Sequence, residues 1–374
     1  MLDTTFFRAC EDAVERWDVQ SLALGSIARD DVSTLGVGCA ADARYLVASV
    51  TKPMTAALAL QLLDLDDATG VWPEDVRVRH LLAHTSGYTG ELEDLGRFGD
   101  GDEALAAAVR ELPSLERVFG VDEVWSYANS GYWLAGRLAA EAAGATFEEA
   151  LRTYVFDAAG MTASGFDAPG FPRARRPSGG VVANVPDLLA LARWLLGEPS
   201  LAPMRVVRGR PVGGVYGLGL FGQRVAGVDV WGHTGSYDTS KASLLIVPSR
   251  SAAFVGLATG LRGTQMLREI EDRWFERLLG EPRRTPADVP LSSDALAAFA
   301  GVYSSFDSEA SVAADGTRLH VDFLDRGSGE RTTLAARPIG PVTFEVVGGD
   351  FDGERFDFPR IGFARFGSRL CRRV

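Results

Sequence analysis

Three prolines fall within ten residues, Glu281-Pro282-Arg283-Arg284-Thr285-Pro286-Ala287-Asp288-Val289-Pro290, and they divide this 374-residue chain into two parts of different texture. Proline fixes φ and brings no N–H, so a proline-dense stretch with few apolar residues reads as a linker. Ahead of it, in residues 1–280, helix-period patterns alternate with short apolar runs. Behind it, residues 299–374 break into about eight short runs separated by Gly, Asp and Ser, such as Leu319-His320-Val321-Asp322-Phe323. Short strands at close spacing predict a small antiparallel barrel or sandwich. The fold class is therefore mixed α/β (α+β), with a first domain at 1–280, a linker at 281–290 and a small β-barrel domain at 291–374.

Within the first domain, Phe6, Phe7, Cys10, Val14 and Trp17 recur at helical spacing, which predicts an amphipathic helix over 4–17. Residues 20–28 and 32–38, joined by Arg29-Asp30-Asp31, predict a hairpin. Further helices are predicted from Ser49 to about Leu63 and over 76–86, 102–111, 128–143, 186–196 and 263–279. Strands are predicted over 215–221, 228–232, 241–247 and 252–259.

Composition excludes several classes of function. The net charge of −12 argues against nucleic acid and anionic membrane surfaces, both of which select basic patches. No segment approaches the roughly 20 apolar residues that span a bilayer. Met1 to Arg8 lacks a basic region followed by an apolar stretch, so a cytoplasmic location is expected. Cys10, Cys39 and Cys371 show no metal or redox spacing and read as reduced thiols.

Of the 38 basic residues only two are lysines, and the rest are arginine. One of the two stands in Ser49-Val50-Thr51-Lys52, three residues after a serine at a predicted helix start. Arginine does not deprotonate in a protein, whereas a desolvated lysine can become a neutral amine base. Positions i and i+3 share a helix face, so Ser49 and Lys52 form a candidate nucleophile and base. The Ser49 N–H, at a helix start, is a natural half of an oxyanion hole. The bland alternative is a serine cap and a surface lysine. A second element is Tyr127-Ala128-Asn129: the phenol can shuttle a proton and the amide can bind a substrate carbonyl. Alone, it reads equally as a loop with a packed tyrosine and a capping asparagine. A third is Gly232-His233-Thr234-Gly235-Ser236 between predicted strands, where glycines allow close approach and the Ser236 N–H can be the second oxyanion donor. Its bland reading is a bulged strand with a satisfied histidine. His80 and His84 are spaced i, i+4, but Leu81 replaces the glutamate of a zinc-protease helix, so both read as structural and no metal is expected. Arg173, Arg175 and Arg176 read as solvated surface, with one of them able to reach the pocket mouth.

Taken in order, these three elements resemble the serine β-lactamase and penicillin-binding-protein superfamily, in its class C β-lactamase, esterase and D-aminopeptidase branch. That family uses S-x-x-K, Y-x-N and then K-T-G or H-x-G. The resemblance extends to Arg79-His80-Leu81-Leu82-Ala83-His84-Thr85-Ser86-Gly87, to Gly179-Gly180 and to Tyr216-Gly217-Leu218-Gly219, and covers about residues 10–280. It implies a central antiparallel sheet flanked by helices, with a helical subdomain, and a lipocalin-like C-terminal barrel. It implies catalytic roles for Ser49, Lys52, Tyr127, Asn129 and His233, an oxyanion hole from the N–H groups of Ser49 and Ser236, and substrate contacts at Thr234 and Gly235. No cofactor is implied. The expected activity is serine acyl hydrolysis of an ester or amide, on a small-molecule or peptide substrate. Alternatives are a thioesterase that cyclises a non-ribosomal peptide, a class C-like β-lactamase, or a non-catalytic binding protein on the same scaffold. Neither Lys52 nor Tyr127 is singled out as the base, and the oligomeric state stays open.

Overall fold

A computed structural model describes residues 2–29 and 31–374; Met1 and Asp30, the middle of the predicted hairpin turn, lie outside the described residues. Helix α1 (Thr4–Arg16) starts where the Asp3 carboxylate accepts the N–H of Phe6 at 2.9 Å, and it buries Phe6, Cys10 and Ala13. The hairpin follows as β1 (Ser21–Ala28) and β2 (Asp31–Val37). A short strand β3 (Tyr45–Leu46) leads into a single 3-10 turn, Ala48–Val50, and then α2 (Thr51–Leu62). Next come α3 (Val78–Ala83), α4 (Ala104–Glu111) and α5 (Asn129–Ala143). Strand β4 (Val182–Ala183) pairs with β3 and precedes α6 (Val185–Gly197). The remaining strands of the first domain are β5 (Val215–Tyr216), β6 (Phe221–Val225), β7 (Val228–Tyr237), β8 (Ser240–Val247) and β9 (Ala252–Thr259), closed by α7 (Gly263–Leu279).

Among the described residues these strands form one seven-stranded antiparallel sheet, ordered β2-β1-β9-β8-β7-β6-β5. Side chains alternate across a strand, and here both faces are covered. Ala23, Ile27, Leu244 and Ile246 join the large core shared with α2, α5 and α6. Leu22, Leu24, Leu245 and Val247 face α1 and α7 and meet Phe6, Ile270 and Trp274. This explains why β8 and β9 are continuous apolar runs. Helix α2 is buried all round from Thr51 to Ala59, so it is a central helix rather than a surface one. The predicted strand over 215–221 divides into β5 and β6 at Gly217-Leu218-Gly219, where Gly219 takes a φ of +75°.

After the linker, strands β10 (Gly301–Ser304), β11 (Ser308–Ala314), β12 (Leu319–Asp325), β13 (Arg331–Pro338), β14 (Thr343–Val346), β15 (Arg355–Arg360), β16 (Phe363–Phe366) and β17 (Arg369–Arg373) form a closed antiparallel barrel. Inward residues such as Val312, Val321, Phe344 and Phe356 fill it, and closure removes the sheet edges. The linker is irregular, as its prolines require, but it is tied down. Arg283 meets Glu271 and Asp272 of α7 at 2.9 and 2.7 Å, and Arg337 of the barrel reaches Asp288 and the Pro286 carbonyl.

The barrel also docks on the first domain through its last hairpin, β16–β17. The Tyr127 N–H donates to the Ser368 carbonyl at 3.0 Å. Buried Arg365 forms a fork with Asp357 at 2.9 and 2.5 Å and donates to the Trp125 carbonyl at 2.8 Å. Arg365→Ala therefore leaves Asp357 buried without its partner and frees the Trp125 loop. It is expected to cost about 3–5 kcal/mol and to lower kcat/KM. Thermal denaturation and initial rates check this; unchanged values in both would show that the hairpin merely rests on the loop.

Candidate active site

Ser49 sits in the 3-10 turn at the mouth of α2. Ala48 just before it takes φ +45°, a left-handed conformation that disfavours a residue with a Cβ. The turn is held by the central helix behind it and by the chain leading into β4, where the Val181 carbonyl accepts the Val47 N–H at 2.9 Å. Local strain at a site over-determined by its surroundings is a common feature of functional positions.

One helical turn on, Lys52 is completely buried. Its Nζ lies 3.1 Å from Ser49 Oγ and donates to the Ser178 carbonyl at 2.7 Å. It also sits over the rings of Tyr127 and Tyr132, at 4.7 and 5.4 Å. Among the described residues it forms no ion pair with a carboxylate. Burial holds Lys52 well below a lysine's ordinary value; the charge of Glu91 opposes this, and those of Arg175 and Arg369 add to it. Gly179 and Gly180 follow Ser178 at the end of a short helical turn, where a Cβ on Gly180 would lie 2.6 Å from the Arg176 side chain; the Ser178 hydroxyl accepts the indole N–H of Trp133 at 3.0 Å.

Tyr127 places its hydroxyl 2.8 Å from Ser49 Oγ. Burial pushes this phenol upward, against the Ser49 hydrogen bond and the nearby Arg369 and Arg175, so it stays protonated at neutral pH. The loop that carries it is fixed by His84, which accepts the Ala128 N–H on Nδ1 at 3.1 Å. His84 is itself in the left-handed region (φ +58°) and is packed among Trp125, Tyr127, Tyr132 and Tyr216. His80 holds the start of α3 by accepting the Arg77 N–H at 2.9 Å. Among the described residues no cluster of metal-binding side chains occurs.

Strand β7 forms the opposite wall. Beyond Gly232, among the described residues, it pairs with no strand but β8. A Cβ on Gly235 would lie 2.2 Å from the Val47 carbonyl and 3.2 Å from the Ser49 nitrogen. The glycine thus lets the strand and the Ser49 turn meet backbone to backbone, which the expected pair of oxyanion donors requires. Two residues of this motif depart from the sequence expectation. His233 is buried; its Nδ1 lies 2.6 Å from the Thr234 carbonyl, and among the described residues Nε2 has no partner. It hydrogen-bonds to none of Ser49, Lys52 and Tyr127. Burial, with the charge of Lys52, lowers His233 to about 3, so it is neutral at any physiological pH. Thr234 is exposed on the other face of the strand, because side chains alternate. There, with Ser236, it borders a cleft of about 1160 Å³ that also meets Glu271, Arg283 and Arg355, and Ser49 is not in it. The second lysine lies on that face too: Lys241 donates to Ser236 Oγ at 2.8 Å.

Asn129 opens α5 and does not stand free. Its backbone N–H and its Nδ2 both donate to Glu91 Oε1, at 3.0 and 2.7 Å. Arg369 at the start of β17 approaches the same oxygen at 2.8 Å. Glu91 and Arg369 were not evident from sequence. Glu91 lies in an unpatterned loop, and Arg369 belongs to a barrel hairpin at the far end of the chain. Of the three arginines near 175, Arg173 and Arg176 are paired with Glu148 at 2.9 and 2.5 Å, while Arg175 lies over the Tyr237 ring.

Residues 11–279 match the β-lactamase family model, and the chain belongs to that family. It is 27% identical over 330 residues to penicillin-binding protein 4 of Amycolatopsis lactamdurans, spanning 71% of this chain and 82% of that protein. Its fold is similar to that of SurE crystallised with D-Leu, with a TM-score of 0.77 and 23% identity over 99% of both chains. It is also similar to D-amino acid amidase from Ochrobactrum anthropi SV3 complexed with L-phenylalanine amide, with a TM-score of 0.64 and 19% identity over 74% of this chain and 98% of that one. The architecture is that of the serine β-lactamase and penicillin-binding-protein superfamily with a closed barrel appended. Among the described residues no helix is long and apolar enough to cross a membrane.

The ionisation pattern sets the expected pH profile. A base that must be neutral gains activity as pH rises through its own value, and that of Lys52 is depressed. Then kcat/KM should rise on the acid side and reach its plateau well before the ordinary lysine range near 10.5. His233, at about 3, should contribute no limb near 6.5. A limb at 6.5 that disappears in His233→Gln would assign the histidine a role in proton transfer.

Proposed function

We propose that the protein is a serine acyl hydrolase that forms an acyl-enzyme on Ser49. The observation that carries this reading is the placement of Ser49 Oγ between a buried lysine at 3.1 Å and a tyrosine hydroxyl at 2.8 Å. Lys52, neutral in the free enzyme, takes the Ser49 proton as Oγ attacks an ester or amide carbonyl. The N–H groups of Ser49 and Ser236 hold the developing oxyanion. Tyr127 gives its proton to the leaving group and recovers one from Lys52. Water then hydrolyses the acyl-enzyme by the same groups in reverse. The opposite directions in which burial moves the two groups favour Lys52 as base and Tyr127 as acid.

The substrate is a small acyl compound or peptide, with a D-configured acyl residue favoured by the D-Leu bound to one fold neighbour and the D-amino acid amidase name of another. The net charge of −12 makes nucleic acid and anionic membranes poor partners. A second reading, transfer of the acyl group to an amine instead of water, draws support from the barrel hairpin. It hydrogen-bonds to the Tyr127 loop through Ser368 and Arg365, a placement that would limit the access of water to an acyl group on Ser49.

Fluorophosphonate labelling and a screen of p-nitrophenyl esters, D- and L-aminoacyl anilides and a chromogenic cephalosporin test the reading. Ser49→Ala is expected to abolish labelling and to lower turnover on the order of 10³-fold or more. Lys52→Arg should be as damaging as Lys52→Ala, since arginine keeps the charge without the base. Labelled Ser49→Ala protein, or near-normal turnover by Lys52→Arg, would refute the mechanism. Product partitioning toward an added amine distinguishes transfer from hydrolysis.

A further inference from the structure

Three arginines precede the Ser178 carbonyl that receives Lys52, and they are not equivalent. Arg173 and Arg176 both turn to Glu148, at 2.9 and 2.5 Å. Arg175 faces another way. Among the described residues its guanidinium takes no ion pair and no hydrogen bond, and it lies 5.6 Å from the centre of the Tyr237 ring. Tyr237 follows Ser236, the expected oxyanion residue, and packs on Phe171 at 5.0 Å. Phe171 is buried beside Gly179, where a Cβ would lie 3.3 Å from its ring and 3.7 Å from Ala48 of the Ser49 turn. Phe171, Tyr237 and Arg175 thus form a wall next to the candidate nucleophile. The other cations nearby are committed. Arg369 lies between Glu91 and Asp307, at 2.8 and 3.1 Å, and Lys241 donates to Ser236 Oγ and the Asp238 carbonyl. Strand β7 shows which end of a substrate meets the wall. His233 stands beside Tyr127, with ring centres 6.2 Å apart. Tyr237 is four residues further on, about 13 Å at the usual rise of a strand. In the reaction proposed above Tyr127 protonates the leaving group. The leaving group therefore lies at the His233 end, and the acyl group runs toward Tyr237 and Arg175.

We propose that Arg175 determines specificity by pairing with a carboxylate on the acyl part of the substrate. The inference rests on the acyl-enzyme reading above and adds a substrate class to it. A half-buried guanidinium without a partner, in a chain of net charge −12, has its N–H fork free for a carboxylate. The Tyr237 ring holds the guanidinium in place, so little order is lost when an anion binds. The charge of Arg175 also reaches Lys52, Tyr127 and Glu91, which places it at the site and not on the outer surface. A carboxylate on the leaving group would fall at the opposite end of β7 and gain nothing from this residue.

The test compares fluorophosphonates, which label a nucleophilic serine with loss of fluoride and lay their alkyl chain where the acyl group runs. Probes of matched chain length end in a carboxylate, a primary amide or an ammonium. On the full-length wild-type protein the carboxylate probe should label Ser49 faster than the amide probe by about tenfold or more, and the ammonium probe should be the slowest. The ratio of rates is read, because removing a charge near Lys52 alters the nucleophile for all three probes alike. Arg175→Gln should bring the carboxylate-to-amide ratio close to one. Arg175→Glu should reverse the order and put the ammonium probe first. Equal labelling of wild type by the carboxylate and amide probes would overturn the proposal without any variant. A ratio that Arg175→Gln leaves unchanged would also overturn it, and would move the preference to another cation. The same experiment separates the two levels: label without preference sinks this inference alone, and absence of label from every probe sinks the acyl-enzyme reading with it.

Discussion

The buried amine of Lys52 is the constraint on which the site depends. An ammonium at that depth, with no carboxylate in ion-pair contact among the described residues, costs several kcal/mol. Burial therefore lowers its hold on the proton, and a carbonyl and a serine hydroxyl satisfy its hydrogen-bonding capacity. Much of the first domain serves this placement. Helix α2 is central and is buried on every side from Thr51 to Ala59. The Ser178 carbonyl points inward and accepts the Lys52 amine at 2.7 Å. Tyr127 and Tyr132 roof the amine with ring faces instead of charge. The presence of a lysine here, in a chain that otherwise uses arginine, fits the same chemistry, because arginine has no neutral form to offer.

The barrel changes what this site can be. A linker of three prolines suggests an independent appendage, but the last hairpin of the barrel contributes backbone and side-chain contacts to the wall of the candidate site. Arg365 ties the barrel to the Trp125 loop, and Arg369 adds positive charge beside Glu91 and Tyr127. Arg175 supplies a second cation from the first domain, which affects the same three groups: Lys52, Tyr127 and Glu91. The environment is thus more positive than the third motif alone implies, since His233 is neutral.

What is encoded locally was legible in the sequence. Helical spacing located α1 and α7, the proline cluster marked the change from mixed to all-β texture, and the serine-lysine pair at i, i+3 pointed to the candidate nucleophile. Ser49, Lys52 and Tyr127 converge from two separate motifs, because each motif carries its own turn chemistry. Long-range contacts were illegible. Nothing near Glu91 or Arg369 marks them as partners, and their meeting depends on how the barrel docks. His233 looked functional from its motif, but burial among Tyr127, Tyr216 and Phe221 turns it inward. Thr234 was misplaced for a simpler reason: strand alternation sends it to the face that lines the other cleft.

Because the chain holds two lysines, the ionisation of Lys52 can be observed directly. Protein labelled with ¹³C at lysine Cε gives two signals in an NMR titration, and a Lys241→Arg variant assigns them. The account predicts that the Lys52 signal reports a neutral amine at neutral pH, titrating far below the ordinary lysine value of 10.5. A Lys52 signal that stays protonated until pH 10.5 or above would contradict it, and would make this lysine a fixed charge instead of the base.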